Sequence, residues 1–173
     1  MNRIAAVFVL LTAAAGCASK MPMPPAEPID DTQIVPYSRI GKLALGMTEA
    51  QLLKWMGEPE KTLRLSATDN FYYYDGGRLH VRFENGRADY VATLNSRYAS
   101  NDGISVGASD LRMRAVWGSP TRTRSLGPCG DTCDTIKVQT YQYCFKNGLQ
   151  VDVDAETGKV ALIGVRVEGC DLP

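Results

Sequence analysis

Between residues 46 and 59 apolar positions recur at helical spacing. Leu52, Leu53, Trp55 and Met56 form the stripe, opened by Gly46-Met47-Thr48-Glu49 and closed by Gly57-Glu58-Pro59. Thr48 suits an N-cap, because its hydroxyl can accept from an early helical N–H, and Glu49 places negative charge on the helix N-terminus. Gly57 suits a C-cap at positive φ, and Pro59 forbids continuation. The pattern returns 61 residues later: Gly107-Ala108-Ser109-Asp110 opens it and Gly118-Ser119-Pro120 closes it. Leu111, Met113, Val116 and Trp117 carry its apolar positions. Two short helices with matching caps are predicted.

After each helix the period changes to two, the signature of strands. Residues 71–74, a turn at Asp75-Gly76-Gly77 and residues 79–83 read as a hairpin. Its counterpart is residues 141–145, a turn at Lys146-Asn147-Gly148, and residues 149–153. A third strand follows each, residues 88–94 after Asn85-Gly86 and residues 160–167 after Thr157-Gly158. The expected fold class is α+β: two tandem copies of a helical segment followed by a three-stranded antiparallel meander. The first repeat is placed at residues 37–96 and the second at 97–173, with an insertion before its first strand. One unit of about 60 residues buries only about 60% of its unfolded surface, so the copies are expected to pack together.

The N-terminus carries no such pattern. Met1-Asn2-Arg3 precedes an apolar run at residues 4–14, interrupted only by Thr12. That is short of the roughly 20 residues a membrane-spanning helix needs, and matches a secretory h-region. The run ends Ala14-Ala15-Gly16-Cys17, which resembles a lipoprotein lipobox. The resemblance implies a signal peptide at residues 1–16 and a lipidated Cys17. Ala18, in place of Asp, implies sorting to the outer membrane, facing the periplasm. Residues 17–36 are Pro-rich and read as a tether.

Composition narrows the partners. Nineteen Lys and Arg balance nineteen Asp and Glu, so the chain lacks the basic footprint of a nucleic-acid binder. Cys129, Cys133, Cys144 and Cys170 are an even number in an exported chain and read as two disulfides, with a zinc site at the Cys129-x3-Cys133 spacing as the rival. The first and third strands of a meander run in the same direction. This favours Cys144–Cys170, with Gly169 easing the bend, and Cys129–Cys133 within the insertion; the other two connectivities stay open.

Gly-Met-Thr, a short helix, Gly-x-Pro, then Tyr-rich and Phe-x-Asn-Gly strands resemble the BamE-like (SmpA/OmlA) lipoproteins. The tandem arrangement is similar to the β-lactamase inhibitor proteins, which share that unit. The resemblance covers residues 37–168. It is fuller in the first copy, since the second has Ala108-Ser109 for Met-Thr and Asp154-Ala155-Glu156 for Glu-Asn-Gly. It implies a protein-binding or envelope-assembly accessory with an envelope protein as partner and the membrane reached through a lipid. An enzyme inhibitor is the alternative, and an envelope hydrolase a more distant one.

No enzyme motif, metal site or cofactor loop stands out, and a non-enzyme without cofactors is expected. The single histidine, His80, alternates with Leu79 and Val81 and is assigned to the surface. Asp152-Val153-Asp154 reads as solvated strand charges. Arg112, Arg114, Arg122 and Arg124 read as a basic solvated stretch. If Leu79, Val81 and Phe83 face the core, His80 and Arg82 face outward. Aligning the two hairpins places Tyr72 and Tyr74 beside them, with Tyr90. Tyr72, Tyr74, His80, Arg82 and Tyr90 are therefore the expected partner-binding residues, aromatic and Arg-rich as interface centres are.

Overall fold

The computed structural model describes residues 23–126 and 139–167. The leader at residues 1–16, Cys17, Cys129, Cys133 and Cys170 lie outside that set. Three short strands open the described chain: β1 (Gln33–Val35), β2 (Arg39–Ile40) and β3 (Leu43–Ala44). β1 takes up residues at the end of the span read as tether.

The helices α1 (Glu49–Met56) and α2 (Asp110–Trp117) form where their caps place them. The Thr48 hydroxyl accepts from the Gln51 N–H while the Gln51 side chain accepts from the Thr48 N–H, a complete capping box. Ser109 accepts from the Arg112 N–H, but arginine has no acceptor to return, so the second cap is half a box. Gly57 and Gly118 end the helices at φ 78° and 79°, a region L side chains avoid. Both helices are pinned in the same way to the last strand of their own half. Gly46 donates to Ala88 and Ala88 to Met47; Gly107 donates to Val160 and Val160 to Ala108.

The first half continues as β4 (Lys61–Arg64), β5 (Asp69–Tyr74), β6 (Leu79–Glu84) and β7 (Arg87–Thr93). A short β8 (Ala99–Ser100) pairs parallel to β1. The second half continues as β9 (Arg122–Leu126), β10 (Thr140–Cys144), β11 (Leu149–Asp154) and β12 (Val160–Arg166).

The expected α+β class with two three-stranded meanders is overturned. The protein is mainly β, built on one antiparallel sheet of eight strands in the order β4-β5-β6-β7-β12-β11-β10-β9, with a smaller sheet β3-β2-β1-β8. Two facts make the difference. β4 and β9 each add a fourth strand to their meander, and β7 pairs with β12 so that the two halves merge. Neither was readable locally. Lys-Thr-Leu-Arg and Arg-Thr-Arg-Ser-Leu have no clean alternation and become strands by pairing with a neighbour. An edge-to-edge join leaves its mark only in the near-continuous apolar run of a central strand. The helices and the small sheet cover one face. One core cluster runs through both halves, including Leu52 and Met113 from the helices, Val81 and Phe83 from β6, and Val151 and Ile163 from the second half.

Candidate functional site

Register decides which side chains share a face of the large sheet. Tyr72 pairs with Val81 and Tyr74 with Leu79, so both tyrosines lie on the core side rather than outward. Tyr74 is 5% exposed; its hydroxyl donates to the Gly57 carbonyl at 3.1 Å, and burial pushes its pKa up to about 12. Tyr72 meets Phe83 edge-on at 5.4 Å. One residue explains the correction. The loop from Tyr74 to Leu79 encloses four residues, whereas that from Phe145 to Leu149 encloses three. Superposing the hairpins without that difference slips β5 by one position and turns every side chain over.

The outer face carries Phe71 opposite Arg82 and Tyr73 opposite His80; Arg82 in turn opposes Tyr90. His80, Arg82 and Tyr90 thus share a face as expected, but not in the expected surroundings. His80 is 6% exposed rather than a surface histidine. Its ring N–H donates to the Gly77 carbonyl at 2.7 Å, Tyr73 packs on it at 4.8 Å, and burial lowers its pKa. Arg82 donates to both Asp69 oxygens at 2.9 Å and to Asp89 at 3.3 Å. The Asp69 bond holds the guanidinium pKa up, while burial raises that of Asp89 against the pull of Arg82.

Tyr90 lies across β12. A Cβ on Gly164 would come within 2.5 Å of its ring, so glycine is what lets the ring pass. Its hydroxyl accepts from the Gln150 amide at 3.3 Å. Arg166 donates to the same amide's oxygen at 3.1 Å and stacks over the Tyr90 ring at 5.3 Å. Burial raises the Tyr90 pKa far above the usual phenol range.

Asp152 is also buried, against the expectation of a solvated charge. The Gln142 amide donates to it at 3.1 Å, and burial nevertheless pushes its pKa up to about 6. Asp154 differs: it accepts from the Glu156 and Thr157 N–H groups at the turn, which lower its pKa, the Thr157 bond most. Arg114 is tied to Asp110 and lies 5.6 Å over the Tyr143 ring. Cys144 is buried at the end of β10; the cysteines it is expected to pair with lie outside the described residues.

Sequence reasoning missed Leu63, Leu65, Phe71 and Tyr73. Leu63 pairs with Phe71 and Lys61 with Tyr73, so β4 extends the aromatic rows of β5 to the sheet edge. Leu63 is 36% exposed and Leu65 56%. The signal was present in the Phe-Tyr-Tyr-Tyr run, but its phase was misread. Among the described residues no helix is long and apolar enough to cross a membrane, and no group of three His, Cys, Asp or Glu is placed to hold a metal ion.

No protein-family model and no curated protein sequence matches the chain. Several solved structures resemble it, three of them as follows. A cysteine-rich secretory protein from Staphylococcus aureus is 13% identical with a TM-score of 0.51, over 82% of this chain and 51% of that one. An extracellular SCP-domain protein from Bacillus anthracis is 9% identical with a TM-score of 0.49, over 70% of this chain and 43% of that one. A DUF4309 family protein from Bacillus subtilis is 13% identical with a TM-score of 0.46, over 70% and 78%. This chain spans about half the length of the Staphylococcus aureus protein and less than half that of the Bacillus anthracis protein. The likeness to the Staphylococcus aureus protein is one of fold alone.

Proposed function

We propose that this protein is an outer-membrane-anchored periplasmic lipoprotein that binds another envelope protein through the outer face of the first half of its large sheet. The observation that carries this reading is the patch of Leu63, Leu65, Phe71 and Tyr73, with Lys61 and Arg82 beside it. Aromatic and aliphatic side chains next to arginine are the composition of interface centres. The apolar leader ending in Ala15-Gly16-Cys17 supports the anchor. The BamE-like resemblance points the same way, toward an accessory of envelope assembly.

A photo-crosslinking residue at position 71 of the full chain tests the surface in intact envelopes, with position 124 on the opposite edge as comparison. A discrete heterologous adduct from 71 alone is expected; adducts from neither position, or equally from both, overturn the reading. The anchor is tested separately. Cys17→Ser should abolish acyl labelling and release the protein from membranes, and unchanged fractionation with retained label would reject lipidation. The pairing Cys129–Cys133 with Cys144–Cys170 remains part of the proposal, and non-reducing peptide mapping decides it.

A further inference from the structure

On the helix side of the sheet, away from the outer patch, a cleft of about 540 Å³ opens between the end of α1, β3, the start of β6 and two loops. That lies within the roughly 300–1,000 Å³ of small-ligand sites. The floor is apolar. Leu43 and Leu79 are fully buried, Tyr98 is nearly so, and Trp55 and Met56 present the half-buried last turn of α1. The rim is polar, formed by Asp30, Asp31, Thr32, Lys42 and Arg97.

The rim charges are not equally engaged. Asp31 accepts from Arg39 through both oxygens, at 2.6 and 2.8 Å. Asp30 is largely exposed and meets Lys42 at 3.4 Å, a loose surface pair. Arg97 lies 4.7 Å over the Tyr98 ring and donates to its hydroxyl; Asp75 and Asp30 act on it electrostatically, but among the described residues no carboxylate lies within ion-pair distance of it. Stacking orients the planar guanidinium and leaves donors in a fork suited to a carboxylate. The C-terminal end of α1 carries partial negative charge and repels an anion from the Trp55 side. An anionic group therefore belongs at Arg97 and Lys42, with its apolar body toward Trp55.

We propose that this cleft binds the C-terminal end of a peptide, its carboxylate held by Arg97 and Lys42 and an apolar or aromatic last side chain seated against Trp55 and Met56, above the buried Leu43 and Leu79. A peptide fits better than an acyl chain because the rim also offers acceptors, the Thr32 hydroxyl and the Asp30 carboxylate, which an amide N–H uses and a hydrocarbon does not. The site does not depend on the outer patch, and either can fail without the other.

Calorimetric titration of the full chain with N-acetyl-Ala-Ala-Phe as the free acid tests it. Saturable one-to-one binding is expected in the millimolar range or tighter. Amidating the peptide's C-terminus, or Arg97→Gln in the protein, should weaken it about tenfold or more. Arg124→Gln, on the far sheet edge, should leave it unchanged. Equal affinity for acid and amide, insensitivity to Arg97→Gln, tighter binding of decanoate than of the peptide, or absence of saturable binding would each overturn the proposal. Circular dichroism of the Arg97 variant confirms that any loss is not unfolding.

Discussion

The two halves of the large sheet are one lattice decorated twice. Rows across the outer face match strand for strand: Leu63, Phe71, Arg82 and Tyr90 in the first half occupy the positions of Arg124, Gln142, Asp152 and Leu162 in the second. On the core face the chemistry barely changes, with Val81 matching Val151, Leu79 matching Leu149, and Val91 matching Ile163. On the outer face it diverges: Leu63, Phe71 and Tyr90 have Arg124, Gln142 and Leu162 as counterparts, and Arg82 is matched by Asp152. A core must be filled to close-packed density, which limits substitutions. An outer face must only satisfy its polar groups, so the two halves are free to differ there.

If the core face is shared alike, equivalent truncations should cost alike. Leu52→Ala and Met113→Ala each remove a fully buried side chain from a helix, and each should destabilise by about 2–5 kcal/mol in urea denaturation, within one cooperative transition. A split transition in either variant would mean the halves unfold separately.

The outer faces should differ in pH response. Asp152 has a folded pKa of about 6, raised above its unfolded value near 3.8, so the native state binds the proton more tightly. Its contribution is therefore greatest below about pH 4, is lost as pH rises through about 6, and is flat above. The span corresponds to about 3 kcal/mol, as an order of magnitude. Asp152→Asn should flatten that window and raise stability at pH 7. No such change is expected from Arg82, its counterpart, which stays charged throughout. A pH profile of unfolding that is identical for wild type and Asp152→Asn would contradict the burial argument.

Gly164→Ala tests the join between the halves. Its counterpart, Ala92, already carries a methyl, but at Gly164 a Cβ collides with Tyr90. A loss of about 2 kcal/mol is expected, recovered in part by Tyr90→Leu in the same chain, as a double-mutant cycle would show. The smallest difference lies in the caps. Thr48→Ala breaks a full capping box and should cost about 1.5 kcal/mol, against about 1 for Ser109→Ala, measured by thermal melts.

Legibility followed the range of the forces. His80, Arg82 and Tyr90 were placed on one face because alternation within β6 and pairing across its short turn to β7 are local. Tyr72 and Tyr74 were placed on the wrong one because the phase of β5 depends on a loop one residue longer than its counterpart. Asp152 looked solvated because its own strand reads as alternating, whereas its burial comes from neighbours on β10 and β12.

From the sequence alone the helix ends, the hairpin turns and the recurrence of a capped helix followed by a hairpin could be derived, since capping hydrogen bonds, positive-φ glycines and side-chain periodicity act within a few residues. Only the tertiary structure decided that β4 and β9 are strands, that β7 and β12 fuse two meanders into one sheet, and which charges end up buried. Those outcomes depend on backbone groups and side chains far apart along the chain, and a strand's partner leaves almost no mark in its own residues.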